Sequence, residues 1–209
     1  MDNNLIIAIL LIGSYLIGAI PFAFIFTKIF SHKNIMEVGW QKSSASNVMK
    51  NIGKLPGILT FIFDFLKGFL LVYLAKELNQ PEVVQALCGF MAVIGHNWSI
   101  FLKFGGGRGL ATLLGAAFAI NIPIMLIILI PLILLALVWT ASIGTIIAYI
   151  TAMILAYCYS EYGLFILLAL SLIPVIIKRV SPLKNSKGKI KNRLLFDQDN
   201  IPPFRIGKK

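Results

Sequence analysis

Gly95–Thr112 reads GHNWSIFLKFGGGRGLAT. A His-Asn pair closes one apolar run. A connector carrying Lys103 then leads into three glycines, Arg108 and a fourth glycine, and a second apolar run opens at Leu110. Two apolar runs joined by a short basic connector are what two membrane crossings and their turn look like. Glycines let backbone N–H groups approach an anion closely, and a helix start aims unpaired N–H groups and a positive dipole end at it. Lys103 and Arg108 add full charges, and a guanidinium grips phosphate through parallel hydrogen bonds. The stretch reads either as a phosphate-binding loop at a membrane surface or as a flexible basic turn between spans. The G-x-x-x-x-G-K-[ST] spacing of a nucleotide P-loop is absent.

Outward from this stretch, composition gives the class. Of 209 residues, 58% are hydrophobic and 13% charged, about half the charge that a soluble surface requires. Apolar runs cover Leu5–Phe30, Gly57–Ala75, Val83–Ile100, Leu110–Ile120, Ile124–Val138, Ala141–Tyr159 and Gly163–Ile177. The reading is an all-α integral membrane protein with about seven transmembrane helices, N-terminus outside and C-terminus cytoplasmic. A single polytopic membrane domain covers 1–178, with cytoplasmic loops 31–57 and 101–109, and a basic cytoplasmic tail covers 179–209. Orientation rests on charge. The segments His32–Pro56 and Phe101–Gly109 and the stretch from Lys178 to the end carry four, two and ten Lys or Arg. The opposite side holds Lys76 against Asp2, Glu77, Glu82 and Glu161. The +11 net charge is thereby a matter of topology and gives no reason to expect nucleic acid as a partner. The chain opens MDNN with no basic leader region, against a cleaved signal peptide.

Within the spans, Gly13, Ser14, Gly18 and Ala19 are small enough for close helix approach, and Pro21 predicts a kink. Asp64 and Lys67 lie at i, i+3 on one helix face and predict a pair, either functional or structural. Ser43-Ser44-Ala45-Ser46-Asn47 offers hydroxyls and amides for phosphate oxygens or, favoured on spacing, for capping a short helix. His96 beside the glycine loop is a candidate for acid–base or anion contact. Cys88 and Cys158 sit in apolar runs and read as packing residues, and no ligand spacing points to a metal.

These residues carry a resemblance. GHNWSIFLKFGGGRGLAT resembles the second motif of the bacterial acyl-phosphate:glycerol-3-phosphate acyltransferases, close to GHxxPxFLxFKGGKGVAT. SYLIGAIPFAFI and GILTFIFDFLKG are also similar to that family, the latter through a D-x-x-K-G at Asp64, Lys67 and Gly68. GWQKSSASNVMK aligns with a first motif near GSGNxGATNVLR. It keeps Gly39, Ala45, Asn47 and Val48, with Ser46 for Thr, Lys50 for Arg and Trp40 in place of a catalytically important serine. In the second motif Gly105 and Arg108 stand for lysines. The third motif, near RHxxNIxRLLxGxE, is matched by Arg179 and Arg193-Leu194-Leu195, with Val180 for His, Ile190 for Asn and Asp199 for Glu.

The resemblance implies transfer of a fatty acyl group from acyl phosphate to glycerol 3-phosphate, giving lysophosphatidic acid in a bacterial plasma (inner) membrane, with no cofactor and no metal. It implies catalytic roles for Asn47, Lys50 and His96. Substrate contacts fall to Ser46, Lys103, Gly105, Gly106, Gly107, Arg108, Gly109 and Arg193, with Asp64 and Lys67 as intramembrane polar residues. Partners are the two substrates and the lipid bilayer, with other phospholipid-synthesis enzymes as candidates. Trp40 and Val180 support an alternative, a non-catalytic or acceptor-switched homologue that binds an anionic lipid or phosphate substrate.

Overall fold

The computed structural model describes residues 2–39, 41–138 and 141–180. The expectations placed on Trp40, Arg193 and the tail beyond Val180 lie outside them. Nine α-helices are formed among the described residues: α1 Asn3–Gly18, α2 Phe22–Ser31, α3 Ala45–Asn51, α4 Lys54–Glu77, α5 Glu82–Asn97, α6 Leu110–Ile120, α7 Ile122–Val138, α8 Ala141–Cys158 and α9 Tyr162–Val180. Among the described residues, three stretches are long and apolar enough to cross a membrane: Asn3–Ser31, Lys54–Glu77 and Tyr162–Arg179. The 24-residue α4 is about 36 Å long, sufficient for about 30 Å of hydrocarbon. The 11-residue α6 reaches about half that depth. It stops where Asn121 leaves the helix and its side chain accepts from the Ile124 N–H.

Pro21 does more than kink the first span. α1 ends at Gly18 and α2 restarts at Phe22, so the carbonyls of Ala19 and Ile20 leave the helical ladder. The first polar loop folds into a 3-10 turn at Ile35–Glu37 and the short α3, whose N-cap Ser44 accepts from the Asn47 N–H at 3.4 Å. The capping reading of the serine tract is the observed one for Ser44.

Helices cross closely where glycines face backbone. α1 packs on α5 and α4 on α6. A Cβ on Gly18 would strike the Ala92 backbone, and one on Gly95 the Tyr15 carbonyl. Gly68 lies against Thr112 and Gly115 against Phe65 in the same way. In lipid, where apolar burial gives little drive between helices, such contacts supply dispersion instead. Gly13 is open, so of the expected small-residue group it takes no part. The main apolar core joins α4, α5, α6, α7, α8 and α9 around Val72, Val93, Ala116, Ile128, Ala152 and Leu167. Cys88 packs with Leu10 and Ala75, whereas Cys158 is exposed, so only the first cysteine is a packing residue. The remaining large apolar side chains, including Ile12, Leu70, Ile130 and Ile173, point outward, as lipid-facing residues do.

Gly95→Ala is expected to destabilise by about 1–3 kcal/mol because backbone must move. Gly13→Ala, in open space within a helix, should be neutral or gain about 0.5–1 kcal/mol. Thermal unfolding in detergent separates them; equal midpoints would contradict the packing described.

Candidate functional site

The site begins with a charge buried between helices. Lys67 and Asp64 on α4 are 4% and 2% exposed, and their Nζ and Oδ1 atoms are 2.8 Å apart. The expected i, i+3 pair therefore forms. Lys67 also donates to the Ile20 carbonyl at 3.1 Å, one of the acceptors released by the Pro21 break, and lies 3.0 Å from His96 Nδ1 on α5. The Phe22 ring sits 5.6 Å from the same ammonium. Three helical segments thus meet on one ammonium.

The end of α5 is pinned to α1 by side chains that sequence reading passes over. Tyr15 donates its hydroxyl to the Trp98 carbonyl at 3.0 Å, and Ser99 donates to the Ala19 carbonyl at 2.6 Å. Beyond this anchor, Ser99 and Gly105 form a β-bridge that closes a knuckle through Lys103 and Phe104, both left-handed. The chain then turns back onto α5. Gly107 N–H donates to the His96 carbonyl at 3.2 Å. A Cβ on Gly106 would strike the His96 and Asn97 carbonyls, and one on Gly107 would strike His96 Nε2 and the Ser43 carbonyl. Gly109, at φ +76°, then starts α6. The glycines are required by close approach to α5 and by this turn.

The first polar loop and α9 complete the surface. Ser43 N–H donates to the Gly106 carbonyl at 3.3 Å. Asn47, fully buried, donates through Nδ2 to the carbonyls of Val38 and Lys42, each at 3.0 Å, and its Oδ1 accepts from Asn51 at 2.8 Å. Lys42 donates to the Lys178 carbonyl at 2.8 Å, a cation at the C-terminal end of α9. The Lys178 ammonium lies 4.9 Å from the Trp98 ring centre. The two basic loops and the end of α9 therefore meet on one face.

Between them lies a cleft of about 130 Å³ lined by Ser44, Ser46, Asp64, His96, Arg108 and Gly109 among others. It shares Phe61, Leu110 and Ala111 with an apolar groove of about 210 Å³ running between α6, α7 and α8. Of the sequence-derived candidates, Ser46, His96, Arg108, Gly109 and Asp64 are brought together in the cleft. Gly106 and Gly107 are buried and off the cleft lining, and Gly105 holds the knuckle. Lys67 stands behind His96, and Asn47 organises the loop from within. Lys50 and Lys103 are exposed and off the cleft lining. Arg193 lies outside the described residues. The arrangement suits an anionic head held by N–H groups and a guanidinium beside an apolar chain. Among the described residues, no three His, Cys, Asp or Glu side chains come together as metal ligands.

The fold and the cleft define an α-helical integral membrane protein whose polar site opens onto an apolar groove. A family model described as glycerol-3-phosphate acyltransferase matches residues 8–186. The chain is 34% identical over 194 residues to glycerol-3-phosphate acyltransferase 2 of Dehalococcoides mccartyi, a match covering 90% of this chain and 92% of that one. With glycerol-3-phosphate acyltransferase 5 of the same species it shares 40% identity over 114 residues, 54% of this chain, and spans about half (49%) of that relative. The crystal structure of the integral membrane glycerol 3-phosphate acyltransferase PlsY, in its glycerol 3-phosphate form, superposes with a TM-score of 0.78 at 28% identity, covering 83% of this chain and 88% of PlsY. The chain belongs to the glycerol-3-phosphate acyltransferase family.

Removing one member of the buried pair leaves an uncompensated charge. Asp64→Ala should therefore cost about 3–5 kcal/mol, while Asp64→Leu with Lys67→Met together should be near neutral. Thermal unfolding of the purified proteins is the check. A double variant as unstable as the single would show that the pair is more than a charge and its counter-charge.

Proposed function

We propose that this chain transfers a fatty acyl group from acyl phosphate to the 1-hydroxyl of glycerol 3-phosphate, producing lysophosphatidic acid and inorganic phosphate for phospholipid synthesis. The observation that carries the reading is the shared wall of Phe61, Leu110 and Ala111 between the polar cleft and the apolar groove. A reactant with a phosphate at one end and a long alkyl chain at the other needs two such compartments side by side. The solved forms of PlsY, described with glycerol 3-phosphate and with lysophosphatidic acid, match this chain at 28% and 26% identity and support the same substrates.

The chemistry asks little of the protein beyond placement, because acyl phosphate is already activated. The 1-hydroxyl oxygen attacks the acyl carbonyl carbon and forms the ester bond, and the bond from that carbon to the phosphate oxygen breaks. The hydroxyl proton passes to the phosphate of glycerol 3-phosphate, and inorganic phosphate leaves. Arg108 and the N–H groups at the start of α6, from Gly109 to Ala111 on the cleft wall, hold phosphate oxygens and offset the charge that develops. Ser46 and His96 contribute further hydrogen bonds at the cleft wall. Asn47 acts by holding the first loop in place. Lys50 and Lys103, exposed, draw anions to the surface, and Arg193 in the basic tail adds a phosphate contact. No cofactor enters the reaction.

In the same reading the chain spans the inner membrane of a bacterium about seven times, with the N-terminus outside. The meeting of Lys42, Ser43, Gly106 and Lys178 on one face supports placing both loops and the tail on the cytoplasmic side. Acyl phosphate and glycerol 3-phosphate then reach the cleft from the bilayer and the cytosol respectively.

Arg108→Ala should raise the KM for glycerol 3-phosphate about 10–100-fold, the effect of losing one charge-assisted bond; unchanged kinetics would refute its role. Ala148→Leu, filling the groove, should slow transfer from palmitoyl phosphate far more than from octanoyl phosphate. Equal slowing for both donors would place the chain elsewhere.

A further inference from the structure

An ammonium has three hydrogens and accepts none. Around Lys67 there are three acceptors: Asp64 Oδ1 at 2.8 Å, the Ile20 carbonyl at 3.1 Å and His96 Nδ1 at 3.0 Å. The third contact fixes more than the lysine. At 3.0 Å, Nδ1 must present its lone pair to the ammonium, since a proton there would set two donors face to face. The other candidate partner of Nδ1, Asp64 Oδ1, is 3.5 Å away, past the usual N–H···O distance, and is ion-paired with Lys67 at 2.8 Å. A doubly protonated ring would also press two positive charges together where His96 is 8% and Lys67 4% exposed. The imidazole is therefore neutral and carries its hydrogen on Nε2. That edge lies on the glycine-loop side, where a Cβ on Gly107 would strike it, and His96 lines the cleft together with Arg108.

We infer that Lys67 is a positioning residue that holds His96 in the Nε2–H form, so that the ring donates to the anion in the cleft and takes no proton from the acceptor hydroxyl. The inference deepens the proposed acyl transfer and rests on it for the identity of the anion, a phosphate monoester. Pro21 belongs to the same device: at its break in the first span the Ile20 carbonyl leaves the helical ladder, accepting from the Phe22 N–H at 3.2 Å and taking one ammonium hydrogen, which leaves another for the ring.

The chain has two histidines, and His32 is exposed on a left-handed turn after α2, so the ring nitrogens can be followed one by one. The full-length protein, labelled with ¹⁵N-histidine in detergent and assigned with His32→Gln, is examined by long-range ¹H–¹⁵N correlation at neutral pH. The expected result is a pyridine-type Nδ1 and a pyrrole-type Nε2 for His96. Glycerol 3-phosphate or inorganic phosphate should then shift Nε2 and its proton. A protonated Nδ1 in the wild type, or an Nε2 signal unmoved by either anion, would overturn the inference.

Asp64→Leu with Lys67→Met leaves no charge unpaired and should abolish the tautomer preference; its persistence would show that Lys67 does not set it. In kinetics, His96→Ala should raise the KM for glycerol 3-phosphate at least tenfold above that of His96→Gln, whose amide can restore a donor near Nε2. Equal losses would contradict donation. An Nε2 shift with inorganic phosphate in a protein that forms no lysophosphatidic acid would support the donor assignment and sink the acyl-transfer reading, so the two can fail separately.

Discussion

The constraint on which this structure turns is a lysine ammonium that must be satisfied inside a membrane protein. Desolvating such a charge costs several kcal/mol, and Lys67 is stable only because donors and acceptors balance around it. Asp64 comes from its own helix, His96 from α5 and the Ile20 carbonyl from the broken first span. Each partner arrives on a separate segment, so the ammonium is the point at which the end of α1, α4 and α5 are joined. Once those helices are fixed, Tyr15 and Ser99 tie the end of α5 to the end of α1, just ahead of the glycine loop.

The glycine loop inherits its shape from this arrangement. Gly106 and Gly107 lie so close to the last turn of α5 that no side chain fits. Their packing carries the loop past His96 and delivers Arg108 and the start of α6 to the cleft. The first polar loop is held against it by Ser43, and α9 is held by Lys42 and by the stacking of Lys178 on Trp98. A polar cleft formed in this way shares the wall of Phe61, Leu110 and Ala111 with an apolar groove.

Much of this was legible in the sequence where the signal is local. The apolar runs and scarce charge define a helical membrane protein. Asp64 and Lys67 pair because i, i+3 spacing puts them on one face, Ser44 caps α3, and Pro21 breaks the first span. The motif around Gly95–Thr112 points to the family. What escaped is long-range. No spacing rule reveals that the Ile20 carbonyl meets Lys67 across 47 residues, or that Lys178 stacks on Trp98. The clue for the first was available: a proline inside a span frees carbonyls that need donors, and a lysine in another span needs acceptors. Asn47 reads as a catalytic amide from its motif, yet its Nδ2 is engaged by loop carbonyls. Lys50 and Lys103 read as site cations, and both are exposed in the structure. The groove is invisible in sequence because α6, α7 and α8 each contribute one wall, and none has a polar residue pattern that marks it.

The proposed reaction can be followed as acyl transfer by the purified, detergent-solubilised wild-type protein, with palmitoyl phosphate as donor, labelled glycerol 3-phosphate as acceptor and palmitoyl-CoA as the competing donor. Labelled lysophosphatidic acid should form with the acyl phosphate and none with the thioester. A folded protein that binds glycerol 3-phosphate yet forms no labelled product from palmitoyl phosphate would contradict it.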